Sequence, residues 1–261
     1  MTTLPHTIKA QLADTQAVLQ RHLGTTLRAI HLFSSAVDGG LKPRSDLDLM
    51  VTITAPTDDA TRRALMEALL RVSAPPGTDS ARRALEVTVV VLHEIVPWRY
   101  PARREMQFGE WLRDDILAGS FEAAVWDHDL AILLTQVLRH SVSLLGPNAA
   151  QLFERVPSAD LMASFRDTIA QWRSSADWEG DEQTVVLALA RIWYSAVTGT
   201  IGSKELAAAW VLERLPPEHR PVLVGARDAY LGQEAYVPCS PAPMAAFVQC
   251  AKQEIERALT R

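Results

Sequence analysis

Cysteine is scarce: Cys239 and Cys250 are the only two in 261 residues, and no CxxC spacing occurs, which excludes a zinc ribbon and a disulfide framework. Both read as free thiols. No polybasic run occurs either, and 26 basic side chains stand against 31 acidic ones for a formal charge of −5. A duplex-binding protein needs a cationic face to neutralise phosphates, so that class is excluded, while a cationic small molecule remains a suitable partner. No stretch of eighteen apolar residues is present, and the opening MTTLPHTIKAQLADTQAVL lacks an apolar core followed by a cleavage site. The expectation is a soluble, cytoplasmic protein without nucleic-acid or membrane partners, and a monomer, since the apolar content demands no second subunit. Internal repeats and low-complexity tracts are also lacking. The length suits two modest domains.

What is present divides by pattern. Ile8, Leu12, Val18 and Leu19 recur at near-helical spacing, predicting an amphipathic helix from about Thr7 to His22 that Gly24 ends. Leu27 to Phe33 and Leu47 to Thr54 read as strands, separated by a loop containing Gly39-Gly40 and Lys42-Pro43. Asp58 to Val72 reads as a helix with Thr57 and Asp58 as cap candidates, and Ala84 to Leu92 as a third strand. A proline-rich passage follows, read as a last strand and a helix start. Trp126 to Ser141 then reads as a helix stopped by Leu144-Leu145-Gly146-Pro147. Beyond Pro157 strand signals fade, and helices are predicted at 159–173, 181–199, 203–214, 219–231 and 241–259. The fold class is therefore mixed α/β followed by all-α, with a boundary near residue 157.

The chemistry concentrates in LFSSAVDGGLKPRSDLDLMVTI, residues 32–53. An apolar strand ends in the small-residue turn Ser34-Ser35, and ten residues later Asp46-Leu47-Asp48 lies inside a second apolar strand. Residues i and i+2 of a strand share a face, so Asp46 and Asp48 project together. Paired carboxylates suit a hard cation such as Mg²⁺, which keeps positions for water and phosphate oxygens. A turn that opens a short helix offers backbone N–H groups to a triphosphate. The layout is that of a two-metal nucleotidyl-transfer site. Such chemistry also needs a group to take the proton from the attacking hydroxyl, and Glu86, isolated among apolar residues on the third strand, is the candidate.

These residues carry a resemblance. The Ser-Ser turn and Asp-x-Asp resemble the minimal nucleotidyltransferase motif of the DNA polymerase β-like superfamily. The segments SAVDGGLKPRSDLDLMVT, EVTVVV, PWRYPARREMQFGEW, DILAGSFE, DLAILLT and VVLALARIWYSAVTG are similar to the aminoglycoside (3'')(9) adenylyltransferases, from about residue 10 to residue 235. That resemblance implies an α/β nucleotidyltransferase domain over 1–157, a mixed sheet with flanking helices carrying the Mg²⁺ and ATP site. It further implies an α-helical bundle over 158–261 that closes over ATP and antibiotic. It implies AMP transfer from Mg·ATP to the 3''-OH of streptomycin or the 9-OH of spectinomycin. Asp46 and Asp48 match the family's magnesium ligands and Glu86 its catalytic base. Ser35, Ser45, Arg191, Lys204 and Tyr230 match ATP-binding positions. Trp111, Trp172, Asp177 and Asp181 match antibiotic-binding positions, Trp172 and Asp177 being associated with streptomycin. Family members carry glycine where this chain has Ser34. Two other readings stay open: a nucleotidyltransferase acting on a protein or an RNA end, and a nucleotide-binding relative whose transfer Ser34 has impaired.

Overall fold

The computed structural model describes residues 6–79 and 81–260. The first five residues, on which part of the reading of the N-terminus rests, lie outside them. The chain forms two compact units that divide between Val156 and Pro157. Among the described residues, no helix is long and apolar enough to cross a membrane.

The first unit begins with α1 (His6–Leu23), which buries Ile8, Leu12, Leu19 and Leu23. Then come β1 (Leu27–Phe33), β2 (Leu47–Ile53), α2 (Asp59–Leu70), β3 (Leu85–Val91) and the short α3 (Leu92–Ile95). They are followed by β4 (Ala102–Arg104), β5 (Met106–Phe108), α4 (Arg113–Leu117), β6 (Val125–Asp127), α5 (Leu130–Arg139), β7 (Ser141–Leu145) and α6 (Ala149–Leu152). Asp58 caps α2, its Oδ1 accepting from the Thr61 N–H at 2.7 Å, which satisfies one of the donors a helix start leaves open.

The main sheet has the order β5-β3-β2-β1-β7, and only β2 and β3 run parallel. Strand alternation decides its two faces. Leu47, Leu49, Val51 and Ile53 join Leu85, Val87, Val89 and Val91 in a core shared with α1 and α2. Met50, Val90 and Phe33 face the other way and meet Leu130, Leu134 and Val137 of α5. Each such side chain, removed from water, contributes about 1.5–3 kcal/mol. The candidate acids are therefore set on the α5 side, because Asp48 and Glu86 share the parity of Met50 and Val90.

The region after residue 125 differs from its sequence reading. Instead of one helix over 126–141, α5 spans only Leu130–Arg139, β6 precedes it, and Leu144-Leu145 belongs to β7. The apolar run through Leu138 hides the change of period at His140, and β7 is defined by antiparallel pairing with β1 more than a hundred residues earlier. Two contacts secure that distant pairing. His31 in β1 is fully buried and its Nε2 donates to the Pro147 carbonyl at 3.0 Å, while burial holds its pKa below the ordinary value. Gly146, at φ +80°, passes so close to the Arg28 carbonyl that a Cβ would collide with it. The proline-rich passage, for its part, supplies two strands: β5 in the main sheet and β4, which pairs with β6.

The second unit is helical, as its pattern predicts: α7 (Ser158–Gln171), α8 (Glu182–Thr198), α9 (Lys204–Leu212), α10 (Arg220–Leu231) and α11 (Pro241–Leu259). α8 is its centre, burying Val185, Val186, Leu189, Ile192 and Trp193 against the helices around it. Asp181 stands at its N-cap, and Gly199, in the left-handed region, ends it.

Candidate active site

The acids gather at one end of the sheet. Phe33, the last residue of β1, pairs with Asp48, and Asp48 pairs in register with Glu86 across the parallel β2 and β3. Parallel partners in register point the same way, so two carboxylates stand on neighbouring strands beside the turn that follows β1. Asp46 lies just before β2 rather than inside it, although the Leu47 N–H already donates to the Ala84 carbonyl at 2.9 Å. All three acids are half-buried. Among the described residues, no three His, Cys, Asp or Glu side chains form a preformed metal cage. Magnesium needs none, being held through one or two carboxylates with water and phosphate oxygens completing its shell, and the pair at the entry to β2 fits that requirement.

The loop that delivers Asp46 is fastened by residues to which the motif gave no clue. Arg83 donates through Nη1 to the carbonyls of Lys42 at 2.8 Å, Pro43 at 3.3 Å and Ser45 at 2.9 Å. Gln11 of α1 fixes Arg83 in turn, accepting from its N–H at 3.0 Å and donating to its carbonyl at 2.7 Å. Ser45 is buried, and its hydroxyl accepts from the Lys42 N–H at 2.9 Å, so it closes this loop. Ser35 is half-buried in the one-turn helix Ser34–Ala36.

Ser34 has φ +59°, and it is the only non-glycine residue with positive φ among the described residues. Its carbonyl accepts from the N–H groups of Val37 at 3.0 Å and Asp38 at 2.9 Å, so the turn keeps a left-handed start although a side chain is present. A serine in this left-handed region carries strain that a glycine would not. Ser34→Gly removes that strain and raises the unfolding free energy by about 0.5–1 kcal/mol, read by urea denaturation. A loss of stability in that variant would instead assign the serine hydroxyl a compensating bond.

Glu86 has a partner that the sequence did not reveal. Gln107 of β5 donates through Nε2 to Glu86 Oε1 at 3.1 Å. Farther along the same segment, Trp111 is 58 % exposed rather than a core aromatic, and its indole lies over Gly109, where a Cβ would collide with the ring. Glu110 anchors this stretch by accepting from Ser73 and pairing with Arg113 at 2.6 Å.

In the helical unit, Lys204 lies in the first turn of α9 with its ammonium 5.5 Å from the Tyr230 ring of α10, so two predicted nucleotide residues meet. Arg191 is half-buried on α8. Trp172 follows α7 directly, and its carbonyl accepts from Lys252 Nζ at 2.7 Å. Asp177 is exposed, and its Oδ2 accepts from the N–H groups of Ser174 at 2.6 Å and Arg173 at 2.8 Å. Those donors, the Ser174 N–H foremost, hold its pKa below the ordinary carboxylate value. Between Asp177 and the exposed Asp181, Trp178 is buried and pins the segment to the core.

Comparison with known proteins bears on both units. Residues 151–259 match the family described as aminoglycoside adenylyltransferase, C-terminal domain. The chain is 54% identical over 250 residues to an aminoglycoside (3'')(9) adenylyltransferase of Klebsiella pneumoniae, covering 96% of this chain and 95% of that one. It is 38% identical over 226 residues to a spectinomycin 9-adenylyltransferase of Staphylococcus aureus, covering 87% and 86%. Among solved structures, the spectinomycin adenyltransferase from Enterococcus faecialis with ATP and spectinomycin superposes with a TM-score of 0.88 at 27% identity, over 95% of this chain and 98% of that chain.

Proposed function

This chain belongs to the aminoglycoside (3'')(9) adenylyltransferase family, and we propose on that footing that it transfers AMP from ATP to the 3''-OH of streptomycin and the 9-OH of spectinomycin, releasing pyrophosphate. The observation that carries the reading is the in-register pair of Asp48 and Glu86 at the end of β1. Glu86 takes the proton of the drug hydroxyl, whose oxygen forms the new bond to the α-phosphorus while the bond to the departing pyrophosphate breaks in line. Asp46 and Asp48 would hold magnesium, which when bound neutralises charge on the phosphates. Ser35, Ser45, Arg191, Lys204 and Tyr230 bind the nucleotide. The two cations, Arg191 and Lys204, match the charge of a triphosphate.

Trp111, Trp172, Asp177 and Asp181 bind the antibiotic. The exposed Trp111 indole offers a flat apolar surface to an aminocyclitol ring, and its π face attracts ammonium groups. Asp177, kept ionised by backbone donors, suits the guanidinium groups of streptomycin.

The test is pyrophosphate release by the purified protein with Mg·ATP and each drug. Release is expected with streptomycin and spectinomycin and not with kanamycin or gentamicin, and silence with the first two would overturn the reading. Trp172→Ala and Asp177→Ala are each expected to lower kcat/KM for streptomycin about tenfold more than for spectinomycin, through a lost cation–π contact in the first and a lost charge-assisted bond in the second. Equal losses on both drugs would remove that division of roles.

A further inference from the structure

Four residues from four strands, Asp127, Arg104, Gln107 and Glu86, form a continuous line that ends on Glu86. Thr88 of β3 pairs with Gln107 of β5, so Gln107 is the diagonal neighbour of Glu86 on the same face. Its amide nitrogen donates to Glu86 Oε1 at 3.1 Å, and its amide oxygen accepts from Nη1 of Arg104. Arg104 in turn pairs through Nε with Asp127 Oδ2 of β6 at 2.7 Å, with both side chains more than four-fifths buried. A guanidinium has only donors, so the amide oxygen of Gln107 must face Arg104 and the amide nitrogen must face Glu86. The Asp127 carboxylate stops Arg104 from rotating away. The direction of both hydrogen bonds in the line is therefore set by the one charged group that cannot accept, which Asp127 holds by an ion pair.

We propose that Gln107 is a positioning residue for Glu86, holding the carboxylate in the rotamer that meets the acceptor hydroxyl, and that Arg104 and Asp127 fix the Gln107 amide for this task. The proposal rests on the reading of Glu86 as the base. An alkyl chain alone would leave Glu86 several staggered rotamers at the edge of a half-open site, and a base displaced by about 1 Å loses much of its effect. A donor aimed at one carboxylate oxygen selects among them before substrate arrives. Binding of ATP and drug does not use this bond, so its loss falls on turnover.

Two variants test this. Gln107→Leu keeps the bulk of the side chain and removes both bonds, whereas Gln107→Glu keeps an acceptor for Arg104 and presents no donor to Glu86. Each is expected to lower kcat for AMP transfer about 10–100-fold while dissociation constants for ATP and spectinomycin, measured by calorimetry, stay within threefold. In a Glu86→Gln background, where residual transfer is followed with labelled ATP, Gln107→Leu should add less than a twofold further loss. A structural defect would multiply instead. If Gln107→Leu does not fold, Gln107→Glu carries the test alone. A kcat within about twofold of the parent in the folded variants, with Glu86→Gln lowered about 10²–10⁴-fold, overturns the positioning role and leaves the base assignment standing. Losses in kcat matched by tenfold weaker binding of both ligands overturn it as well.

Discussion

Replacing Glu86 by glutamine is expected to lower the rate of AMP transfer roughly 10²–10⁴-fold, the contribution of a positioned general base. The change is close to isosteric, and the new side-chain oxygen can still accept from Gln107 Nε2, so the local geometry is preserved while proton acceptance is lost. Dissociation constants for ATP and for either drug should move by less than a few-fold. Single-turnover rates with both substrates bound separate the outcomes. Full activity in Glu86→Gln would remove the base assignment. A fall in ATP affinity as large as the fall in rate would make Glu86 a third metal ligand beside Asp48 rather than a base.

The second large effect concerns stability. Glu105, at 1% exposure, lies between β4 and β5, and its Oε1 accepts from the Thr57 N–H at 2.9 Å, the Thr57 hydroxyl at 2.7 Å and Arg62 Nη2 at 3.0 Å. Arg62 of α2 is itself buried and reaches Asp59 with its other nitrogen at 3.1 Å. Taking away one partner leaves the other charge in a dry site, so Arg62→Met is expected to cost about 3–5 kcal/mol of unfolding free energy. Because the charge left behind is the main penalty, Arg62→Met with Glu105→Gln should cost less than the sum of the two single changes. Urea denaturation of the four proteins gives the coupling, and strict additivity would show that the pair is electrostatically silent. Glu105 immediately precedes the strand that carries Gln107, so loosening this pair should also lower turnover.

The same contrast between local and distant causes explains what could be read from the chain. β1, β2, β3 and the five long helices of the second unit announce themselves by periodicity, and the capping role of Asp58 by its place before an apolar repeat. Ser34 stood out only through the resemblance, which implies a glycine there, and its φ of +59° gives that position a physical meaning. β7 was hidden because five residues with no turn before them look like the tail of α5 until β1 is placed beside them. Gln107 and Arg83 could not be singled out at all. A neutral amide and one arginine among many acquire a role only from register, Gln107 through its pairing with Thr88 and Arg83 through three loop carbonyls. Asp46 and Asp48 were legible because a hard cation calls for carboxylates, whereas residues that brace a site can be of several types.

The late position of β7 governs how the protein emerges during synthesis. β1 and β2 form an antiparallel pair of neighbours in the chain, yet the other edge of β1 stays open until residues 141–145 have been made. An unfilled strand edge beside a half-formed apolar face is the kind of surface that recruits wrong partners. Translation at about 5–20 residues per second leaves roughly 5–20 s between completion of β7 and the start of α11. The sheet that carries Asp48 and Glu86 thus has an interval to close by itself, before the last helix that buries Phe247 and Ile255 exists.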